Sequence, residues 1–258
     1  MSPDLIQLLL AAVGGAVIGL LLSVFGGGGS VLATPLLLYI VGVTDPHIAI
    51  GTSAAAVAVN AATGLAVQAR AGKVKWPCAT VFAVAGLSGA LIGAHFAKLV
   101  DGQRLLFWFA IAMAAVAVSM LLPRKSEGDP GVHITPALIA KLTPVGFGTG
   151  LAAGFFGIGG GFLIAPGLMA ATGMTLANAA ASSLLSVTLF GGATSVSYAS
   201  SGLVSWPLFG AMVVGGAVGA VAGAPVAKAL AAHAVLMRRL FAVMVLAVAG
   251  YVAWRALG

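Results

Sequence analysis

Long apolar runs separated by short polar turns fill the chain, and they predict ten helical segments. Most runs have about 19 to 24 residues, close to the roughly 20 residues that an α-helix needs to cross a bilayer. Two runs have only about 14 residues, or about 21 Å of helix, and each contains a proline. The predicted segments are 5–25, 29–43, 47–69, 77–99, 104–122, 137–156, 160–173, 176–199, 207–229 and 236–256.

The same pattern occurs twice along the chain. Phe25–Pro35 reads FGGGGSVLATP, and Phe156–Pro166 reads FGIGGGFLIAP. Matches spread over both halves predict a duplication, with repeats at 1–123 and 136–258 joined by a polar linker at 124–135. Further matched pairs are Gly15 with Gly146, Gly19 with Gly150, Thr52 with Ser183, Trp76 with Trp206, Gly89 with Gly219 and Gly93 with Gly223.

Five segments per half is an odd number, so the second repeat is predicted to be inverted in the membrane. The loop at 70–75 carries three basic residues, whereas its counterpart at 200–202 carries none. Basic loops face the cytoplasm, and placing this loop there leaves only three of the twelve basic residues outside. These three are Lys98, Arg104 and Arg255. Four full spans per half with re-entrant glycine loops would instead give parallel repeats, and this alternative stays open.

Composition places the whole chain in a membrane. Of 258 residues, 61% are hydrophobic and only 7% are charged, against about 25% charged in a soluble domain. This excludes a water-soluble globule and leaves no room for a separate soluble domain. The net charge of +7 lies in short loops, which indicates membrane topology rather than nucleic-acid binding. The sequence therefore predicts an all-α polytopic membrane protein with about eight to ten transmembrane segments, including short glycine-led broken or re-entrant helices.

The two glycine motifs are the strongest candidates for a binding site. Glycine lets the backbone approach a ligand closely, and the free N–H groups at the start of a half-helix attract an anion. Two such ends that face each other would form a symmetric anion cradle. The alternative is that the glycines only allow helices to pack closely. The candidate residues are Gly26, Gly27, Gly28, Gly29 and Ser30 in the first motif, and Gly157, Gly159, Gly160 and Gly161 in the second.

Uncharged polar side chains on the third segment of each half could complete this site. Hydroxyl and amide groups can donate hydrogen bonds to sulfonate or carboxylate oxygens, although Ser and Thr also bond to their own helix. Asn60 lies mid-span, where an unpaired amide is expensive to bury. The candidates are Thr52, Ser53 and Asn60 in the first half, and Ser182, Ser183 and Ser186 in the second.

Several kinds of chemistry have no residues to support them. The acidic residues Asp4, Asp45, Asp101, Glu127 and Asp129 all fall at predicted ends or loops, which disfavours a cation pump. With one cysteine, no Walker motif, no metal-ligand cluster and no nucleophile triad, the chain is expected to be no enzyme and to need no cofactor or metal. His95 is interpreted either as a titrating group or as an interfacial histidine.

The paired Gly-x-Gly-Gly-Gly-x-x-x-x-Pro motifs, Gly26–Pro35 and Gly157–Pro166, resemble those of the sulfite exporter TauE/SafE family. Each is followed by a hydroxyl pair, Thr52-Ser53 or Ser182-Ser183, and the resemblance covers nearly the whole chain. It implies a bacterial inner-membrane permease with about eight spans. Such permeases are linked to the export of sulfite, sulfoacetate or other organosulfur anions.

The sequence thus predicts a secondary transporter that exports small anions such as sulfite or organosulfonates by alternating access. Coupling to protons or to the membrane potential is left open. A passive anion channel is the alternative, and a membrane scaffold that folds around a partner is a third reading. The expected partners are a small anionic substrate and the lipid bilayer, without nucleic acid, for a monomer or homodimer.

Overall fold

The structure is a computed structural model that is almost entirely helical, and it describes residues 3–121, 128–129, 131–157, 161–230 and 234–257. Within these residues, α-helices follow one another along the chain and one 3-10 segment, Gly26–Leu32, joins the first two. The α-helices are α1 Leu5–Phe25, α2 Ala33–Tyr39, α3 Pro46–Arg70, α4 Trp76–Ala97, α5 Gly102–Leu121, α6 Pro136–Phe156, α7 Gly161–Thr172, α8 Leu176–Ala199, α9 Trp206–Leu230 and α10 Ala234–Leu257.

Each predicted segment corresponds to one of these helices, which confirms the all-α polytopic fold class. Seven helices in the described part of the chain are long and apolar enough to cross a membrane: α1, α3, α4, α5, α6, α8 and, within α9, Trp206–Gly223. The second segment of each half is confirmed as short. In the first half, this short segment begins as a 3-10 helix at Gly26, directly after the end of α1 at Phe25, so the glycine run is itself helical.

Local capping explains where several helices begin and end. The Asp45 carboxylate accepts a hydrogen bond from the backbone N–H of His47 at 2.8 Å, and a proline follows as the first helical residue of α3. Thr135 starts α6 in the same way, through the N–H of Leu138. At the other end, α6 stops at Gly157, whose φ of 67° is left-handed and favours glycine.

The glycines that repeat between the halves form two closely packed helix pairs. α1 runs beside α9 in the same direction, and α4 runs beside α6 in the same direction. A side chain at any of these glycines would meet the backbone of the neighbouring helix, as expected for small residues at membrane helix contacts. The close approaches are Gly15 to Met212, Gly19 to Gly216, Gly150 to Gly86 and Gly154 to Ala90.

The third helices of the two halves, α3 and α8, pack antiparallel at the centre. Gly51, near the start of α3, lies against Tyr198, near the end of α8, while Gly191 lies against Ala58. Apart from Ser30 and Thr34, the buried polar side chains of the described residues belong to these two helices. The polar groups predicted from the sequence are therefore concentrated in the core of the bundle.

Each short segment returns to the beginning of its own half. The Gln7 side chain on α1 donates to the carbonyl of Val41, just after α2, at 3.3 Å. In the second half, Thr172 at the end of α7 lines one surface pocket with Thr135 and Lys141. We call the end of the bundle where α1 begins the N-terminal face, and the end where α6 begins the linker face.

Charges differ between these two faces. The linker face carries the basic residues Arg70, Lys73, Lys75, Lys141 and Arg239 with one carboxylate, Asp129. The N-terminal face carries Lys98, Arg104 and Arg255 together with Asp4, Asp45 and Asp101. Arg124, Lys125 and Glu127 lie outside the described residues. Which face meets the cytoplasm stays a prediction from this charge difference.

Candidate functional site

The two glycine motifs meet in the interior. The backbone of Gly27 lies directly against the backbone of Gly161, so that a Cβ atom built on Gly27 would stand 2.7 Å from Gly161 Cα and 2.7 Å from a Val187 methyl carbon. Real Cβ atoms do not approach other atoms this closely, so only glycine fits at either position. We call this contact the glycine crossing. The two motifs are thus in direct backbone contact at these two residues, and the anion cradle stays a prediction.

Hydroxyl groups bind the backbone at the glycine crossing. The Gly27 N–H points to the Ser183 hydroxyl oxygen at 3.4 Å, a long hydrogen bond, and the Gly27 carbonyl accepts from the Ser30 hydroxyl at 2.8 Å. Both serine side chains are fully buried. Two glycine segments and one serine from α8 are therefore brought together at one point.

The other predicted glycines lie in different surroundings. Gly28 is buried, and Gly29 packs on the backbone of α1 at Leu21 and Leu22. Gly26 begins the 3-10 segment, and Gly157 lies against Ile50. The predicted residues Gly159 and Gly160 lie outside the described residues.

Ser53 and Ser183 have matching places in the two halves. The Ser53 hydroxyl donates to the carbonyl of Ile50 at 3.0 Å, and that of Ser183 donates to the carbonyl of Ala180 at 2.8 Å. Ser53 also shares a 2.8 Å hydrogen bond with Thr34 on α2. The bonding of Ser and Thr to their own helix is therefore observed here together with contacts between segments.

Thr52 and Ser182 each accept a hydrogen bond from the backbone N–H of the residue that immediately precedes a helix in the other half. The Thr52 hydroxyl oxygen accepts from the N–H of Ser205 at 2.9 Å, just before α9. The Ser182 hydroxyl oxygen accepts from the N–H of Lys75 at 2.9 Å, just before α4. We call these two bonds the Thr52 cap and the Ser182 cap.

This bonding corrects one pairing made from the sequence. Thr52 was matched with Ser183, but the structure makes Thr52 equivalent to Ser182 and Ser53 equivalent to Ser183. The N-caps of α3 and α8 agree with this assignment, because Asp45 precedes Thr52 by the same number of residues as Thr175 precedes Ser182. The one-residue difference between the halves therefore lies in the loop before the third helix, where a deletion does not disturb helical packing.

Asn60 is placed away from the contacts just described. Its side-chain amide donates to the carbonyl of Met212 on α9 at 3.4 Å, and Gly216 leaves the room for it. The residue is 3% exposed, so this long bond compensates in part for burying an amide that would otherwise be costly to bury. Its predicted role in substrate binding remains a prediction.

Some buried polar atoms of the described residues have no hydrogen-bond partner: the hydroxyls of Ser186, Thr194 and Tyr198, and Nδ1 of His47. Only Ser186 was expected from the sequence as a site residue. The Tyr198 and His47 rings lie 6.2 Å apart, close to the Thr52 cap because Tyr198 also packs on Gly51. A tyrosine on an apolar helix gives no sequence signal for this position, because aromatic residues are common in any core.

Replacing Tyr198 with phenylalanine is expected to leave the fold intact and to raise the stability of the protein by roughly 1 kcal/mol. The substitution removes a buried hydroxyl that has no hydrogen-bond partner among the described residues, and it keeps the ring. Thermal unfolding in detergent measures the change, and the more exposed Tyr251→Phe serves as the control. A clear fall in the unfolding temperature would contradict the expectation and would indicate that a buried water binds this hydroxyl.

Ionisable groups are sparse in the interior. None of the described helices contains Asp or Glu within its bounds. Among the described residues, no three His, Cys, Asp or Glu side chains are grouped as metal ligands. His95 is exposed and makes an edge contact with Phe96 at 6.0 Å.

Comparison with known proteins gives consistent matches. The sequence model of the sulfite exporter TauE/SafE family matches residues 11–252. The chain is 48% identical over 252 residues to a probable membrane transporter protein of Xylella fastidiosa strain Temecula1, covering 97% of each chain. It is 27% identical over 244 residues to the probable membrane transporter protein YunE of Bacillus subtilis, covering 86% of this chain and 89% of that one. The family match includes the glycine crossing and both caps.

Proposed function

The chain belongs to the sulfite exporter TauE/SafE family, and we propose that it is a secondary transporter that exports small anions such as sulfite or organosulfonates. Its role as a membrane transporter follows from the family and from relatives that are named probable membrane transporter proteins. It is a multi-pass membrane protein, consistent with a bacterial inner membrane. The choice of an anion rests on the residues of the chain itself.

The glycine crossing is the observation that carries the proposal. It brings the backbone N–H of Gly27 together with the buried hydroxyls of Ser30 and Ser183, while the described helices contain no carboxylate. Uncharged donors bind an anion without the cost of burying a fixed positive charge. A cation would find no negative side chain within those helices to compensate it.

We place the anion where the two glycine segments meet, in a conformation in which they separate. The 3.4 Å bond between Gly27 and Ser183 is long, so exchanging it for a bond to an anion costs little. The Ser186 hydroxyl lies one turn further along α8, buried and without a partner in the described chain. These groups are proposed to bind the oxygens of a sulfite or sulfonate head group.

Many transporters that work by alternating access are built from two halves that exchange roles, and we propose that 1–123 and 136–258 are inverted repeats. Helix directions support this. The third helices of the two halves, α3 and α8, are antiparallel to each other. The first helix of each half runs in the same direction as the second-to-last helix of the other half, α1 with α9 and α6 with α4. Inverted repeats place a substrate near the bilayer midplane at the interface between them. An inside-negative potential then favours anion exit, by about 2.3 kcal/mol per charge per 100 mV.

Flux measurements in proteoliposomes test this proposal. We expect saturable flux of sulfite, thiosulfate or sulfoacetate, accelerated when the same anion is present on the opposite side. A monovalent cation should show no flux above that of empty liposomes. If the folded protein moves none of these anions, the proposed function is wrong.

A passive anion channel is the second candidate, since the same donors could line an open pore. Flux through a channel would rise linearly with concentration and would show no acceleration by counter-substrate. That result would exclude alternating access while keeping anion selectivity.

A further inference from the structure

The Thr52 cap and the Ser182 cap are one arrangement made twice. Each uses a hydroxyl on the third helix of one half to bind the N–H that precedes the fourth helix of the other half, at 2.9 Å in both cases. Both hydroxyl groups are fully buried. Each donor is the residue before a Trp-Pro pair, at 76–77 or 206–207. These bonds therefore link the two halves reciprocally.

The two caps lie at opposite faces. α3 begins at the N-terminal face, so Thr52, in its second turn, lies near that face together with Ser205. α8 begins at the linker face, so Ser182 lies near that face together with Lys75. One bond thus joins the halves near each end of the core formed by α3 and α8.

We propose that the two caps are the two gates of the transporter. The Thr52 cap closes the path at the N-terminal face, the Ser182 cap closes it at the linker face, and each is released while the other holds. This inference rests on the proposed alternating access. It gives Thr52 and Ser182 a role in closing the protein, rather than the contact with substrate that the sequence predicts.

The chemistry of the caps suits reversible gates. The N–H before a helix has no partner within that helix, so it is bonded to the hydroxyl when the face is closed and can bind water when the face opens. Exchanging the hydroxyl for water changes the free energy only slightly. Because the two bonds are equal, the state open at the N-terminal face and the state open at the linker face are similar in free energy. A transporter needs such a balance, because a strong preference for one state would stop the cycle.

The test removes one cap at a time and measures which face opens. Thr52→Val and Ser182→Ala delete the accepting oxygen with little change of shape. Reporter cysteines are introduced at the equivalent positions Val204 and Val74, one residue before each donor, after the native Cys78 is replaced by alanine. Reaction with a membrane-impermeant thiol reagent is followed in detergent, where the reagent reaches both faces.

We expect Thr52→Val to accelerate labelling of the Val204 reporter by about five- to tenfold, as for the loss of one buried hydrogen bond, and to slow labelling of the Val74 reporter. Ser182→Ala should produce the opposite pattern. Thr52→Ser keeps a hydroxyl and should label at the parent rate. Thr63→Val is the matched control, because Thr63 is exposed on the same helix and bonds only to the carbonyl of Val59.

Equal acceleration at both reporters would indicate general loosening and would overturn the inference, as would no change at either. Labelling requires no substrate, so the two proposals fail independently. Reciprocal labelling without anion flux would disprove the proposed substrates and leave the gates in place. Saturable flux without reciprocal labelling would disprove the gates alone.

Discussion

Replacing Gly161 with alanine is expected to reduce anion flux roughly tenfold or more. The added Cβ would stand 2.6 Å from the Cα of Gly27 and still closer to its carbonyl oxygen. Both obstacles are backbone atoms, so no side-chain rotation can relieve the clash. Overpacking of this kind destabilises the closed crossing by about 1–3 kcal/mol relative to the separated conformation, and 1.4 kcal/mol corresponds to a factor of ten. Because the transport cycle needs both conformations, such a shift slows it. Flux in proteoliposomes, normalised to folded protein, measures the effect.

Two further variants separate the glycine crossing from general damage to the fold. Gly192→Ala adds the same methyl group on α8, where no atom of the described residues lies within 4 Å, and should transport normally. Gly27→Ala alters the same contact from the other side, so the double variant should lose little more than either single one. Flux within twofold of the parent protein for Gly161→Ala would contradict the assignment of the site to the crossing.

The helices could be predicted from the sequence because the membrane imposes their length and their apolar character. In the bilayer core every backbone group must be bonded internally, so a long apolar run has few alternatives to a helix. The capping hydrogen bonds at Asp45 and Thr135, which fix where α3 and α6 begin, are seen only in the structure. The repeated glycines were also informative, since Gly15, Gly19, Gly146 and Gly150 all occur at helix contacts.

The hydrogen-bond partners of the polar residues could not be predicted in the same way. Their identity depends on which helices become neighbours, and a one-residue deletion in a loop leaves the periodicity of both flanking helices unchanged. The sequence therefore matched Thr52 with Ser183 instead of Ser182. The contact of Asn60 with α9 and the bond between Thr34 and Ser53 likewise join segments that are separated along the chain.

Replacing Gly150 with alanine is expected to lower the free energy of unfolding by about 2–3 kcal/mol, because it separates α6 from α4. A Cβ on Gly150 would stand 2.6 Å from the Cα of Gly86. Gly148→Ala, two residues earlier on the same helix, meets no atom of the described part of the chain within 4 Å and should stabilise α6 by up to about 1 kcal/mol through helix propensity. Thermal unfolding in detergent should therefore show opposite shifts for the same chemical change.

The pairing of α1 with α9 offers the same experiment at the equivalent contact between the two halves. Gly19 is the counterpart of Gly150, and Gly19→Ala would place a Cβ 2.9 Å from the Cα of Gly216, whereas Gly210→Ala on α9 meets no atom of the described residues within 4 Å. If the two helix pairs are equivalent products of a duplication, Gly19→Ala and Gly150→Ala should destabilise the protein by similar amounts. An unfolding temperature for Gly150→Ala equal to that of Gly148→Ala would contradict the close contact between α4 and α6. A loss of stability for Gly150→Ala without a comparable loss for Gly19→Ala would argue that the two interfaces are unequal in strength despite their shared glycine spacing.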